Sequence, residues 1–467
     1  MISLLASLTL ARKALQAQQV AIQTTGHNIA NANTPGYTRQ RVDLAPTIPF
    51  SLVPVGSVGT GVDIKDITRI RDLLLDSQFR DAHQALGRQE AEEATLSQIE
   101  RLVGEPSDNG LAGGMSALFA SFQDLANNPT DLAVRSVVRD KARALADQFH
   151  RLDDGFERLK TDLNNEILVV VKQVNGLAQQ IADLNRQIAT SEGGGGSAND
   201  LRDQRDQAVD ELSKLVGGSL IEDIGGQVRV TVGGGLTLVD GQTSVPLEAQ
   251  VFTPGDLIYP DSVHLFLAGN LMTPGGGRLA GLLNSRNSDG GFVKGYQAQL
   301  DILAKAVIDK VNAVHAAGFG IDMPPTTGQA FFIGTTAATI DVDPIIQGDV
   351  TKIAAASTAN PGDNSNALAL AQLRNTSVAS LSNTTFGGYL SRLVSDLAEQ
   401  EAGAKRSVSL HTTMADFLTS RRDQTSGVSL DEEMTNLIRF QKAYEAAAHF
   451  ATVVNDLLGT LMQQLGR

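Results

Sequence analysis

Cysteine and tryptophan are absent from this 467-residue chain, and aromatic residues make up only 4% of it. Without cysteine there is no disulfide scaffold, no thiolate metal site and no cysteine nucleophile. So few aromatics suit an enzyme with a large apolar pocket poorly. Positive charge is also short: 38 Lys and Arg stand against 52 Asp and Glu, a net charge of −14. Nucleic-acid and anionic-membrane binders need basic faces, so no nucleic-acid partner is expected. No apolar run approaches the roughly 18 residues of a membrane span; the longest notable one is Ile167 to Val171, and no membrane insertion is expected. A secretory leader is missing as well, because Arg12 and Lys13 follow the apolar residues Leu4, Leu5, Leu8 and Leu10 instead of preceding them. If the chain leaves the cell, it uses a route without a cleavable signal.

What is present is helical periodicity. Met1, Leu8, Leu15, Ile22 and Ile29 recur every seven residues, with Leu4 and Ala11 between them, giving an apolar seam that Gln18 and Thr25 weaken. Asn31, Asn33, Pro35 and Gly36 end that helix. Residues 37–65 read as strand and loop, and helices are expected from about Ile67 to Val103 and over 111–126, separated by a loop around Pro106. Residues 131–191 lack proline, and Leu145, Phe149, Leu152, Phe156, Leu159, Leu163, Ile167, Val170, Val174, Leu177, Ile181, Leu184 and Ile188 form one seam with a stutter at Leu163. Such a helix builds a rod. The Gly193–Gly196 run closes it, and a helix through Leu201, Val209 and Leu212 follows.

From Ser219 to Leu271 the period changes to two, with Val228, Val230 and Val232 alternating with Arg229 and Thr231, which indicates a β module. Helix is expected again at 279–316 and 386–424, with loop and short strands over 318–362. A capping box at Ser429 and Glu432 starts the last helix. Its seam runs through Leu430, Met434, Leu437, Gln441, Tyr444, Ala448, Ala451, Asn455, Leu458 and Met462. The ends differ in charge: Arg12, Lys13, Arg39 and Arg41 face one acid, Asp43, in the first 45 residues, whereas the last 42 are acidic.

The expected architecture is therefore mainly α with an inserted β module. Residues 1–45 and 426–467 form a terminal coiled-coil unit, 46–216 and 277–425 a rod-like body, and 217–276 a small β-rich outer module, with 318–350 as a candidate addition to it. Chemistry is hard to find. The seven histidines are scattered without metal-ligand spacing, and the carboxylates, such as Glu90, Glu92 and Glu93, read as solvated helix faces. Asp341 and Asp343 precede Pro344 and read as a turn, and the glycine runs lack the Lys-Ser/Thr of a phosphate loop. No catalytic, metal or cofactor site is expected, and the chain is not read as an enzyme.

One segment stands out: Asn28-Ile29-Ala30-Asn31-Ala32-Asn33-Thr34-Pro35-Gly36-Tyr37-Thr38-Arg39-Gln40. A helix end this rich in side-chain amides can bond its own last carbonyls, or make polar contacts to neighbouring chains. Leu15 to Gln40 resembles the N-terminal motif of the axial proteins of the bacterial flagellum, and the Tyr37-Thr38-Arg39-Gln40 ending is similar to the hook-associated members in particular. Ser426 to Tyr444, with Arg439-Phe440-Gln441, resembles that family's closing motif, and Asn199-Asp200-Leu201-Arg202-Asp203-Gln204-Arg205-Asp206 an internal one. The region after Phe332 is shorter than in family members with a second outer domain.

The resemblance implies a structural subunit that forms a ring with copies of itself at the hook–filament junction, between the hook protein and a second hook-associated protein. It implies type III export and a flagellar export chaperone on the C-terminal helix. In that frame Leu4, Leu8, Leu15 and Ile22 face Leu437, Tyr444, Val454 and Leu458 across an antiparallel pair, with Ile29, Leu430, Met434 and Phe440 also in the assembly interface. Asn28, Asn31 and Tyr37 to Gln40 bridge this pair to the body, and Ile29, Pro35, Gly36, Tyr37, Arg39 and Gln40 belong with Asn28 and Asn31 to the family motif. Isolated amphipathic helices are marginal in water, so the ends are expected to pair only on assembly. A type III translocator or tip protein is the alternative. It calls for a membrane-inserting stretch or repeated outer domains, and the sequence has neither.

Overall fold

The computed structural model describes residues 2–52, 56–105, 110–223, 225–287 and 291–465. Met1 and Pro106 lie outside them. The chain opens with helix α1 (Ile2–Ala30) and an antiparallel hairpin in which β1 (Gln40–Pro46) pairs with β4 (Val62–Arg69) and β2 (Phe50–Leu52) with β3 (Gly56–Val58). Helices α2 (Leu73–Val103), α3 (Leu111–Asn127), α4 (Leu132–Glu192) and α5 (Asn199–Val216) follow. The β module holds a four-stranded antiparallel sheet, β5 (Ser219–Glu222), β6 (Val228–Val232), β7 (Leu236–Asp240) and β8 (Thr243–Ser244), and a three-stranded one, β9 (Leu247–Phe252), β10 (Ser262–Leu267) and β11 (Asn270–Met272), with β10 central. Then come α6 (Gly277–Asn287), α7 (Phe292–His315), the pair β12 (Phe332–Ile333) and β13 (Asp341–Val342), the short α8 (Pro344–Gly348) and α9 (Ser365–Gln372), α10 (Phe386–Ser426) and α11 (Leu430–Leu465).

The spine is α4, 61 residues long and so about 90 Å at about 1.5 Å per residue. Asp131 starts it by accepting from the Ala133 amide at 2.7 Å, which satisfies one of the free N–H groups of the first turn. Its seam is the core: Leu145, Phe149, Phe156, Leu163, Ile167, Val174, Ile181 and Ile188 are all buried, against α3, α5, α6 and α7. The β module sits on the same helix through two asparagines. Asn185, fully buried, donates to Val228 O and Gly241 O and accepts from Val228 N. Asn175 exchanges two bonds with Leu247. Gly233 to Gly235, all at positive φ, make the β6–β7 turn.

Four expectations change. Residues 62–69 are strand, and α2 begins only at Leu73, because Asp72 caps it by accepting from the Leu74 and Leu75 amides. The helix expected over 279–316 is two helices, with Gly291 at the start of the second. The boundary at residue 45 falls inside β1, which pairs with β4 and packs on α1, so the hairpin belongs with the terminal unit as much as with the body.

Residues 318–350 do not extend the β module. Phe331 packs on Phe122 of α3. Asn312 of α7 bonds the Phe331 and Phe332 amides. Fully buried Arg135 of α4 donates to Ile353 O, beside bonds to Pro129 O at 2.6 Å and 3.0 Å. The segment thus caps the end of the helical body, a placement that depends on long-range contacts rather than local pattern.

Candidate assembly interface

The terminal helices lie against each other in the single chain, α1 antiparallel to α11, with the end of α1 beside the start of α11. The pair expected only on assembly is thus in contact within one chain. What a single chain leaves undone is the covering of the apolar residues. The most buried line on α1 is small or polar: Ala11, Ala17, Ala21, Thr24, Thr25 and Asn28. Leu4, Leu15, Ile22 and Ile29 are half-buried flanks, and Leu8 is exposed. On α11 Val454 is buried and Leu437, Phe440 and Leu458 half-buried, while Leu430, Met434 and Tyr444 face solvent. Ile438, Phe450, Val453, Leu457 and Met462 are exposed as well, so α11 is apolar on more than one side. Of the expected residues Ala11, Thr25 and Val454 lie in this interface, while the large apolar residues of α1 flank it, because close helix approach selects small side chains.

Asn28 is the pivot of the joint. Its amide nitrogen donates to Gln40 O and to Glu433 Oε2, both at 2.9 Å, and its carbonyl accepts from Tyr37 OH at 2.8 Å and Gln40 N at 3.0 Å. The amide thus serves the start of α11 and the chain entering β1, not its own helix. Only Asn31 bonds back, to His27 O at 3.1 Å. Arg39 meets Glu433 Oε1 from Nε at 2.9 Å and Nη2 at 2.7 Å, and Glu432 from Nη1 at 2.7 Å. This overturns the full capping box: Ser429 Oγ still accepts weakly from the Glu432 amide at 3.5 Å, but the Glu432 carboxylate goes to Arg39. The basic N-terminal end and acidic C-terminal end do meet, at these groups. Pro35 and Gly36 are exposed, and Gly36 supplies the positive φ of the turn.

Helix α5 receives the other side of the motif. Thr38 N donates to Asp203 Oδ2 at 2.8 Å, Gln40 Nε2 to Asp200 Oδ1 at 2.8 Å, and Asn199 Nδ2 to Ile67 O at 2.6 Å. Behind this lies a cluster of arginines and aspartates. Arg69 bonds Asp203 and Asp206, Arg71 bonds Asp206 and Asp76, Arg422 bonds Asp76 and Asp210, and Arg80 approaches Asp210. Burial pushes the Asp206 carboxyl up, but Arg71, Arg69 and Arg205 outweigh it and hold the group below the usual range. For Asp203 burial prevails over Arg69 and the carboxyl is raised. Burial, with Asp200, Asp203 and Glu433 nearby, also raises the Tyr37 phenol.

These carboxylates are not solvated faces, and neither is Glu92, which is buried with Arg88 and Asn284 on it. Sequence reading missed Glu433 and the aspartates as receivers, although Asp203, Asp206 and Asp210 fall at the three- and four-residue spacing of one helix face. The turn expected at Asp341 is strand β13, where its carboxylate accepts from Val342 N, and Asp343 caps α8 by accepting from Ile345 N. Among the described residues no cluster of His, Asp and Glu could hold a metal, and no helix is long and apolar enough to cross a membrane. What the site offers is a rigid attachment between the terminal pair and the body.

Comparison with known proteins fits that geometry. A family model for flagella basal body rod proteins matches residues 8–38, one for the C-terminal part of basal body rod FlgEFG proteins matches 420–464, and one for the helical domain of flagellar hook-associated protein FlgK matches 96–332. Flagellar hook-associated protein 1 of Bacillus subtilis is 32% identical over 508 residues, covering all of this chain and 99% of that protein. The chain belongs to the flagellar hook-associated protein 1 family. Members from Escherichia coli and Salmonella typhimurium are 30% and 29% identical, over 97% of this chain and 98% of theirs. The flagellar hook junction protein FlgK from Burkholderia pseudomallei shares the fold, with a TM-score of 0.63 at 19% identity over 75% of this chain and all of that one. The Asn28–Glu433 contact thus joins the two segments of this chain that match the rod-protein models.

Proposed function

We propose that the chain is a structural subunit of the bacterial flagellum, one of a ring of copies that joins hook to filament through its terminal helices. The observation that carries this is the mismatch on α1 and α11: one side of each is satisfied within the chain, and Leu5, Leu8, Phe450, Val453 and Leu457 remain uncovered. Exposed apolar stripes on helices mark association surfaces. Further copies would bury them, with hook protein below and a second hook-associated protein above. The relatives are structural proteins, and no chemistry is assigned to the joint. Export would proceed by the flagellar type III route without a cleavable signal, with a chaperone shielding the outer stripe of α11 until assembly.

Leu457→Asp tests the reading. It removes an exposed side chain, so the body is expected to fold normally while the strain makes hooks without filaments, seen by electron microscopy. Normal filaments on that variant count against the proposal.

A further inference from the structure

Outside the terminal pair, α10 carries a second uncovered stripe. Leu410, Met414 and Phe417 are each more than half exposed, and Arg406 and Arg421, also exposed, stand at either end of them. The spacing of four, four, three and four residues puts all five on one helix face, with the charges about 22 Å apart along the axis. The first half of α11 presents a counterpart. Met434 and Ile438 are more than half exposed, and exposed Asp431 and Glu445 lie on the same face, about 21 Å apart. One stripe has two cations around an apolar centre; the other has two anions at the same separation around Met434 and Ile438, with exposed Lys442 beside Glu445 on the same face. The centres coincide at Met414 and Ile438 whether the helices run parallel or antiparallel.

We infer that the α10 stripe of one subunit docks on the α11 stripe of a neighbouring copy, with Arg406 and Arg421 paired to Asp431 and Glu445. This rests on the reading above and names a contact within that ring. Within one chain the two stripes do not cover each other, and Arg39 ties Glu432 and Glu433 to the α1 side, which keeps α11 on its present course. Docking unlike patches is a head-to-tail contact, the kind that generates rings or helices. Glu445 now pairs with Lys442, but both groups are well exposed, so that pair is easily exchanged.

The absence of cysteine gives a clean test. Full-length chain carrying Met414→Cys and Ile438→Cys is expressed in a strain lacking its own copy, and isolated hook–filament structures are oxidised. A ladder of dimers and higher multimers that needs both cysteines is the expected result. A cross-link confined to one chain, dimers from Met414→Cys alone, or no cross-link on structures that assembled normally each overturn the inference. Charge exchange supplies the second readout: Arg421→Glu with Arg406→Glu should cut incorporation at least tenfold, and Asp431→Arg with Glu445→Arg should restore it. A defect that this exchange does not restore assigns the α10 stripe to a different protein. Since Leu457 lies outside both stripes, a normal Leu457→Asp phenotype would instead count against the ring itself.

Discussion

Glu433→Gln separates the joint from everything else in the molecule. Glu433 is 2% exposed and takes two bonds from Arg39 on one oxygen and one from Asn28 on the other. Glutamine keeps the shape but offers one acceptor and one donor. If the acceptor faces Arg39, its amide group meets the Asn28 donor, and if it is turned, the Arg39 contact is lost. A hydrogen bond to a charged group contributes about 1.5–3 kcal/mol, and breaking a fully buried pair costs about 3–5 kcal/mol. Arg39 keeps Glu432 and is one-fifth exposed, so the lower end applies, about 2 kcal/mol.

That loss acts on local opening of the terminal pair, because α4 and its core touch none of these groups. Hydrogen exchange on the full chain should show amides near the end of α1 and the start of α11 opening about 30-fold more often, with α4 unchanged. Equal acceleration in α4 would mean the joint is part of one global unit. No change at all would mean Glu433 is not what ties α11 to the motif.

Two further predictions concern the body. His315 is buried, accepts from Ala354 N on Nε2 at 2.9 Å, and so carries its proton on Nδ1, facing Gln329 O at 2.8 Å. Burial pushes this imidazole down to about 4. A folded pKa below the unfolded value means stability is complete above about pH 6.5 and lost as pH falls to about 4, about 3 kcal/mol in all. Denaturant midpoints measured from pH 7 to 4 should fall less in His315→Gln than in the wild type, and parallel profiles would refute the assignment. Asn185→Leu strands the Val228 amide and two carbonyls, which should weaken the β module by about 3 kcal/mol at the usual cost of buried unpaired groups. Exchange should quicken in β6 and β7 while α3 stays protected, and unchanged β6 protection would show that Asn185 is not the anchor.

The long helices were legible because a seam of large apolar residues sustained over α4 has one physical solution, burial on one side. The Gly-rich turns and the period-two run of β6 were legible for the same reason, since local geometry and pattern agree. The joint was legible only as a motif. Asn28 and Gln40 are separated from Glu433 and Asp200 by long stretches of sequence, and nothing local says that an amide at a helix end will leave its own carbonyls to others.

On α1 the apolar pattern points to leucine and isoleucine, whereas the helix approaches α11 through alanine, threonine and asparagine, with Ala11 and Thr25 the seam positions that fall in the contact. A coil that needed only to close on itself would place Leu15, Ile22 and Ile29 in its seam. Small residues there leave the large ones at the flanks, half-covered, where two further helices could reach them. Under the proposed function the terminal pair would be the repeating element of a larger bundle, and its residual exposure would follow from that role rather than from weak packing.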